Sequence, residues 1–268
     1  MKGPDQSRPT ADGREPTGKP VARSATPALG CPDGPQRRRR APHPHPPGAA
    51  AAGTPARVLE VGCGRGAPAA ALARLGYEVT GVERDAGMAA AARERGVRVV
   101  HADVLTVSGE YDVVLFTRSL HHAEDLDGVL AHATALLAPG GQVVVEEFAW
   151  ERVDHAAADF LHDNRALLTA AGLLTGETPS DDLLDAWVTG HESLHRGSAM
   201  LDALGRAGSD QVAVPTAVLW RLLDGRGGAW TEPATRVPDA LGAVRRAEER
   251  RIAAGTLPAV GLLASVRR

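Results

Sequence analysis

With 268 residues and 43% hydrophobic content, the chain has enough apolar material for one large α/β core or two small ones. A formal net charge of −3 gives no global attraction to a polyanion, which argues against nucleic acid and for a small-molecule partner. Two cysteines, Cys31 and Cys63, cannot build a disulfide framework or a four-cysteine metal site, and no run approaches the ~20 apolar residues of a membrane helix, so a cytoplasmic, non-membrane protein is expected.

Residues 1–54 mix proline, glycine and polar residues without apolar periodicity, and they are expected to form a disordered Pro/Arg-rich tail. The run Arg37-Arg38-Arg39-Arg40 within it reads as solvated charge, because Ala-Pro-His-Pro-His-Pro-Pro follows where an export signal needs an apolar stretch. His43 and His45 offer at most a weak metal contact. From residue 55 to 268 one domain is expected.

Short apolar runs separated by amphipathic stretches begin at Arg57, the pattern of repeated βα units on a parallel sheet. Strands are predicted at Val58–Val61, Glu78–Val82, Val97–Val100, Val113–Phe116 and Gln142–Val145, with helices at Pro68–Leu75, Asp85–Arg95 and Leu126–Leu137 between them. After Trp150 the text turns helical, with apolar positions at Ala157, Phe160, Leu161, Leu167, Leu168, Leu183, Leu184, Trp187 and Val188. Residues 151–197 are therefore expected to be a helical lid or insertion after the fifth strand. A helix over Ser198–Leu204, a strand over Val212–Leu219, a charged helix over Pro238–Ile252 and a last strand over Ala259–Val266 complete a doubly wound, mostly parallel seven-stranded sheet of Rossmann-like α/β class.

The first strand runs into Gly62-Cys63-Gly64-Arg65-Gly66 and then a helix, placing permissive backbone and helix N–H groups where a nucleotide-like ligand approaches. With Ala67 the same residues satisfy a dinucleotide fingerprint, so the glycines alone do not separate NAD from S-adenosylmethionine. Glu60, two residues before the first glycine in a buried strand, calls for a cationic partner. Glu83, 21 residues after Gly62, ends the second strand, where one carboxylate can accept from both ribose hydroxyls. His101-Ala102-Asp103 follows the third strand, Tyr111-Asp112-Val113-Val114-Leu115-Phe116 forms the fourth, and Pro139-Gly140-Gly141 reads as a helix stop before the fifth.

In the order and spacing of these pieces the chain, from Arg57 to Arg268, resembles the class I S-adenosylmethionine-dependent methyltransferase family, particularly its small-molecule branch. The resemblance implies S-adenosyl-L-methionine as cofactor and a small-molecule acceptor. It implies that Glu60 contacts the cationic methionyl end, Glu83 the ribose and Asp103 the adenine amino group. Gly62, Cys63, Gly64, Gly66, Arg84, Ala102, Val104, Thr117 and Arg118 would line the same site.

An oxygen nucleophile would need a base, for which His121, His122, His191 and His195 are the candidates. Leu120-His121-His122 follows the fourth strand, where the family often carries a similar Leu-His-His. His191-Glu192-Ser193-Leu194-His195 spells the H-E-x-x-H zinc motif, but Ser198 and Leu201 stand where its longer form needs glycine and histidine, so no metal is expected. Cys63 near a helix start is a candidate reactive thiol, or a small residue that fits the turn. All four tryptophans, Trp150, Trp187, Trp220 and Trp230, follow the fifth strand, either as an acceptor pocket or as ordinary core. An NAD(P)-dependent oxidoreductase and a non-catalytic scaffold are the competing readings.

Overall fold

In the computed structural model the described residues are 56–176, 182–223, 229–231 and 234–268. The tail expected over residues 1–54 lies outside them, as do Cys31, Arg37 to Arg40, His43 and His45.

The central strands are apolar runs buried on both faces, as a parallel sheet covered by helices requires. β1 (Arg57–Val61) buries every residue from Val58 to Val61, and β2 (Glu78–Glu83) buries Val79 to Val82. β3 (Arg98–His101), β4 (Tyr111–Thr117) and β5 (Leu137–Phe148) follow in sequence. A two-residue ribbon pairs β6 (Leu174–Thr175) with β8 (Ala229–Trp230), separately from the main sheet. β7 (Ser209–Thr216) and β9 (Gly261–Arg267) close that sheet, whose order is β3-β2-β1-β4-β5-β9-β7. Pairings from β3 to β5 are parallel, while β9 runs antiparallel to both of its neighbours. This is the doubly wound, mostly parallel seven-stranded architecture that the alternating pattern predicts.

Helices α1 (Ala67–Arg74) and α2 (Ala86–Glu94) cover one face of β1 to β3, where Val58, Cys63, Ala69, Val79, Ala92 and Val97 pack together. On the opposite face, Leu59, Phe116, Val143 and Leu262 form the main core beneath α3 (Leu126–Ala135), with Met200 and Leu204 contributed from later in the chain. Aspartates set the helix starts: Asp85 accepts from the Met88 N–H at 2.8 Å and Asp125 from the Gly128 N–H at 3.0 Å, so each stands just outside its helix as a cap.

The stretch after β5 supplies α4 (His155–Ala170), α5 (Leu183–His191) and α6 (Gly197–Ala207), and α7 (Val237–Ala253) precedes β9. α6 returns to the sheet and packs against α3 and β9. α4, α5, α7 and the short turn Leu219–Arg221 enclose a second core around Phe148, Trp150, Phe160, Leu168, Leu219 and Val244, in which all four tryptophans take part. Of the apolar positions expected on α4, Leu161 and Leu168 pack into this core, whereas Leu167 is 66% exposed.

Pro139-Gly140-Gly141 is not a helix stop. α3 ends at Ala135 with Leu136 as its cap, and the three residues lie inside β5 at a register shift opposite Tyr111 and Val113. A Cβ on Gly141 would stand 3.0 Å from the carbonyl oxygens of Ala138 and Asp112, so the bulge itself demands glycine. β5 also runs past Val145 to Phe148, because β9 pairs with it from Gln142 to Phe148. No helix of the described residues is long and apolar enough to cross a membrane.

Candidate active site

Chain order reverses between β1 and β4: β2 and β3 lie on one side of β1, and β4 and β5 on the other. At such a switch point in an open α/β sheet the crevice lies beyond the strand C-termini. Register levels those ends. Val61 pairs with both Val82 and Phe116, so Gly62 stands beside Glu83 and Thr117, and Thr117 in turn pairs with Glu146.

Backbone geometry fixes the glycine turn. Gly62 has φ +67°, and a Cβ there would come within 2.6 Å of the Ser119 Cβ, while Ser119 itself donates to the Val61 carbonyl at 2.6 Å. A Cβ on Gly64, at φ +54°, would meet nothing within 4 Å, which leaves this part of the turn open to a ligand. Glu83 binds the turn from the side, accepting from the Gly64 N–H at 2.8 Å with one oxygen and from the Asp85 N–H at 2.9 Å with the other.

Two cavities meet here, sharing Gly62 and Arg118. The smaller, about 500 Å³, is lined by Glu83, Arg84, Ala102, Asp103, Val104 and His122 among others. The larger, about 730 Å³, runs from Cys63, Gly64 and Thr117 to His121 and the residues of α4 and α5. Thus the structure gathers ten of the twelve residues expected at the cofactor. Glu60 and Gly66 line neither cavity. A Cβ on Gly66 would meet Ala92 at 2.9 Å, so its role is packing against α2.

Glu60 is fully buried. Its Oε1 accepts from the Thr117 hydroxyl at 2.6 Å, and Thr117 lines the larger cavity, whereas Oε2 has no hydrogen-bond partner. Burial raises its pKa, opposed by the Thr117 hydroxyl, the Ala69 N–H and the Arg118 and Arg221 guanidiniums. Arg118, at φ +56°, donates from Nη1 to the Arg221 carbonyl at 3.2 Å while its buried Nε is also without a partner. A carboxylate oxygen and a guanidinium N–H, both buried and without a hydrogen-bond partner, therefore lie within each other's field, Arg118 at the junction of the cavities and Glu60 behind Thr117. Unpartnered buried polar atoms cost about 1 to 3 kcal/mol each, and a bound ligand or an ordered water is what satisfies them.

Cys63 is not a reactive thiol. It is 4% exposed against Gly81 and Ala69, and burial, helped by Glu60 and Glu83, pushes its pKa up to about 12.

The four histidines separate. His121 is buried on the wall of the larger cavity, with its Nδ1 2.8 Å from Glu147 Oε2. Glu147 is completely buried and also accepts from the Leu120 N–H at 2.7 Å, so its carboxylate is held from two sides. With Nδ1–H donating to Glu147, the Nε2 lone pair of His121 is left to accept a proton. His122 lines the smaller cavity instead. His191 lines the larger one but stacks on Trp187 at 3.8 Å between ring centroids, with Nδ1 2.6 Å from the Trp187 carbonyl. His195 lines neither cavity, its Nε2 resting on the Ala123 carbonyl at 2.8 Å. α5 ends at His191, so the two imidazoles of the H-E-x-x-H match do not share a helical face, and no cluster of metal-ligating side chains occurs among the described residues.

Several residues that shape the site escape the sequence reading. Glu147 lies two residues beyond the expected end of the fifth strand, and the pair Glu146-Glu147 following an apolar run was the available signal. Arg221 reaches the larger cavity from the turn Leu219–Arg221, where it pairs with Glu146. That turn is held by Glu248 of α7, which accepts from the Val218, Leu219 and Trp220 N–H groups at 2.7, 2.9 and 3.0 Å. Of the tryptophans among the described residues, Trp187 alone lines either of these two cavities.

A family model described as a methyltransferase domain matches residues 35–208, more than half of the chain. An uncharacterized methyltransferase of Mycobacterium tuberculosis is 39% identical over 98 residues, 34% of this chain and 50% of its own length. A demethylmenaquinone methyltransferase of Tropheryma whipplei is 33% identical over 102 residues, 35% of this chain and 43% of its own. The chain spans about half or less of the length of these curated relatives. A solved S-adenosylmethionine dependent methyltransferase from Mesorhizobium loti superposes with a TM-score of 0.49 at 18% identity, covering 80% of this chain and 91% of that one. The family match sets aside the oxidoreductase reading that the glycines alone left open, and with the strand order and the acids at the sheet edge it identifies the chain as a member of the class I S-adenosylmethionine-dependent methyltransferase family.

Proposed function

We propose that the protein transfers the methyl group of S-adenosyl-L-methionine to a small-molecule acceptor held in the larger cavity. The observation that carries the reading is the pair of unsatisfied buried atoms, Glu60 Oε2 and Arg118 Nε, beneath a glycine turn at the switch point. Their opposite charges suit the ammonium and carboxylate of an amino-acid group, Glu60 acting through the Thr117 hydroxyl on the cavity wall. Glu83 and Asp103 on the smaller cavity suit a ribose and an adenine amino group, and Ala102 and Val104 give the apolar surface beside them.

When bound, the cofactor supplies an electrophilic methyl group on a sulfonium. The protein's part is chiefly to hold an acceptor nucleophile in line with it and to exclude water. For a hydroxyl acceptor, His121 Nε2 takes the proton as the oxygen forms its bond to carbon, and Glu147 steadies the imidazolium. Residues 151–197, with the Leu219–Arg221 turn, serve as the acceptor cover. Two open cavities favour an enzyme over a scaffold, and the net charge favours a small molecule over nucleic acid. A cytoplasmic setting is part of the same reading.

Calorimetric titration with S-adenosylhomocysteine tests the assignment: wild type binds one equivalent, and Asp103→Ala binds it at least tenfold more weakly. Equal affinity in the variant would remove the cofactor site from this place.

A further inference from the structure

The larger cavity is unusual in the sign of its polar groups. Among the described residues its wall carries Arg65, Arg118, Arg165 and Arg221 with His121, His162 and His191, and neither an aspartate nor a glutamate. Most of these are engaged. Arg221 pairs with Glu146, Arg118 stands at the junction with the smaller cavity, His121 is held by Glu147, and His191 is stacked on Trp187. Arg65 is an exposed residue of the glycine turn.

Two remain. His162 and Arg165 stand three residues apart on α4, adjacent on one face of the helix. The Nδ1 atom of His162 is buried with no hydrogen-bond partner, and the half-buried side chain of Arg165 has no hydrogen bond or ion pair among the described residues. Around them the wall is apolar: Phe148, Leu161, Leu183, Trp187 and Leu222. A guanidinium left unpaired in such a place is costly to cover with a neutral molecule, because covering it strips its water without replacing the hydrogen bonds. A bound sulfonium cofactor would add one more positive charge nearby.

We propose that the acceptor is an apolar, flat molecule carrying one anionic group, a carboxylate or a phosphate, which binds Arg165 and His162 while its body lies against Phe148 and Trp187. This rests on the methyltransferase reading for the word acceptor, but the anion site is a property of α4 and is measurable without turnover. Charge-assisted hydrogen bonds to a guanidinium discriminate by roughly tenfold or more over a neutral analogue.

Calorimetry on the full chain, in the presence of S-adenosylhomocysteine, with 1-naphthoate, 1-naphthyl phosphate and 1-naphthol as probes, tests it. At least one of the two anions binds tenfold or more tightly than naphthol, and whichever binds better tells a carboxylate acceptor from a phosphate one. Arg165→Gln and His162→Gln each reduce that preference to less than threefold, Arg165→Lys retains most of it, and S-adenosylhomocysteine affinity is unchanged in all three, which reports that each variant is folded. Naphthol binding as tightly as the anions, binding of none of the probes, or a preference that survives the double substitution Arg165→Gln with His162→Gln would overturn the proposal. Loss of S-adenosylhomocysteine binding by the wild type, with the anion preference intact, would instead sink the methyltransferase reading and leave the anion site standing.

Discussion

The two halves of the site are built by different means. On the sheet side, from β1 to β4, position comes from backbone: register places Gly62, Glu83 and Thr117 side by side, and positive φ angles at Gly62 and Gly64 shape the turn. On the acceptor side, position comes from side chains meeting over long separations, such as Glu248 holding the turn that carries Arg221 and Glu147 holding His121. The first kind of site needs few residues at fixed spacing and tolerates little change in them. The second can alter its lining residues while the core of Phe148, Trp150 and Leu219 remains. A methyl donor common to many acceptors suits the rigid half, and the acceptor itself suits the variable one.

Substitutions that act on one half alone sharpen this contrast. The largest effect is expected at Gly62→Val, which adds a branched side chain at φ +67° against Ser119 and costs about 3 kcal/mol of stability in urea unfolding. An unchanged midpoint would mean that the turn is not set by its backbone. On the other side, His121→Ala lowers kcat about 100-fold with a hydroxylated aromatic acid as acceptor while leaving S-adenosylhomocysteine affinity alone, and Glu147→Gln gives a smaller fall in the same direction. A full rate in His121→Ala would leave the reaction to positioning without a base.

Smaller changes follow at the acids. Glu83→Ala weakens S-adenosylhomocysteine at least tenfold, about 1.4 kcal/mol, and more than Asp103→Ala does, because Glu83 also holds the Gly64 N–H. The reverse order would show that the ribose contact is minor. The smallest effect is the most diagnostic of strain kept for function. Glu60 has its folded pKa raised by burial, so stability from its neutral form is present below the ordinary value near 4.5 and is lost as pH rises through the elevated folded value. Glu60→Gln should therefore raise the stability of the ligand-free protein at pH 7 by on the order of 1 kcal/mol, with the gain vanishing toward pH 4.5, while weakening the cofactor. A variant less stable than wild type at pH 7 would show that the carboxylate is satisfied in the free protein.

The same contrast explains what could be read from the sequence. The sheet half was legible because its signals are local: alternating βα text, a glycine turn straight after a strand, and an acid at the end of each of the next two strands. Glu60 stands out in the sequence as an acid inside an apolar strand, and its second oxygen has no hydrogen-bond partner in the structure. Reading Pro139-Gly140-Gly141 as a helix stop failed because a bulge in a paired strand uses the same residues, and the pairing partner Tyr111 lies far away in sequence. On the cover, His162 and Arg165 carried no signal at all, since a histidine and an arginine one turn apart on an amphipathic helix look the same whether they face water or a cavity. The H-E-x-x-H match, set aside in the sequence because Ser198 and Leu201 break its longer form, also lacks the shared helical face its spacing implies, since α5 ends at His191.

The most direct test of the central claim is a pair of calorimetric titrations of the full chain, one with S-adenosylhomocysteine and one with NAD. One-to-one saturable binding of the first and none of the second is the predicted result. Binding of NAD at the same site, or no heat with S-adenosylhomocysteine up to millimolar concentration, would contradict it.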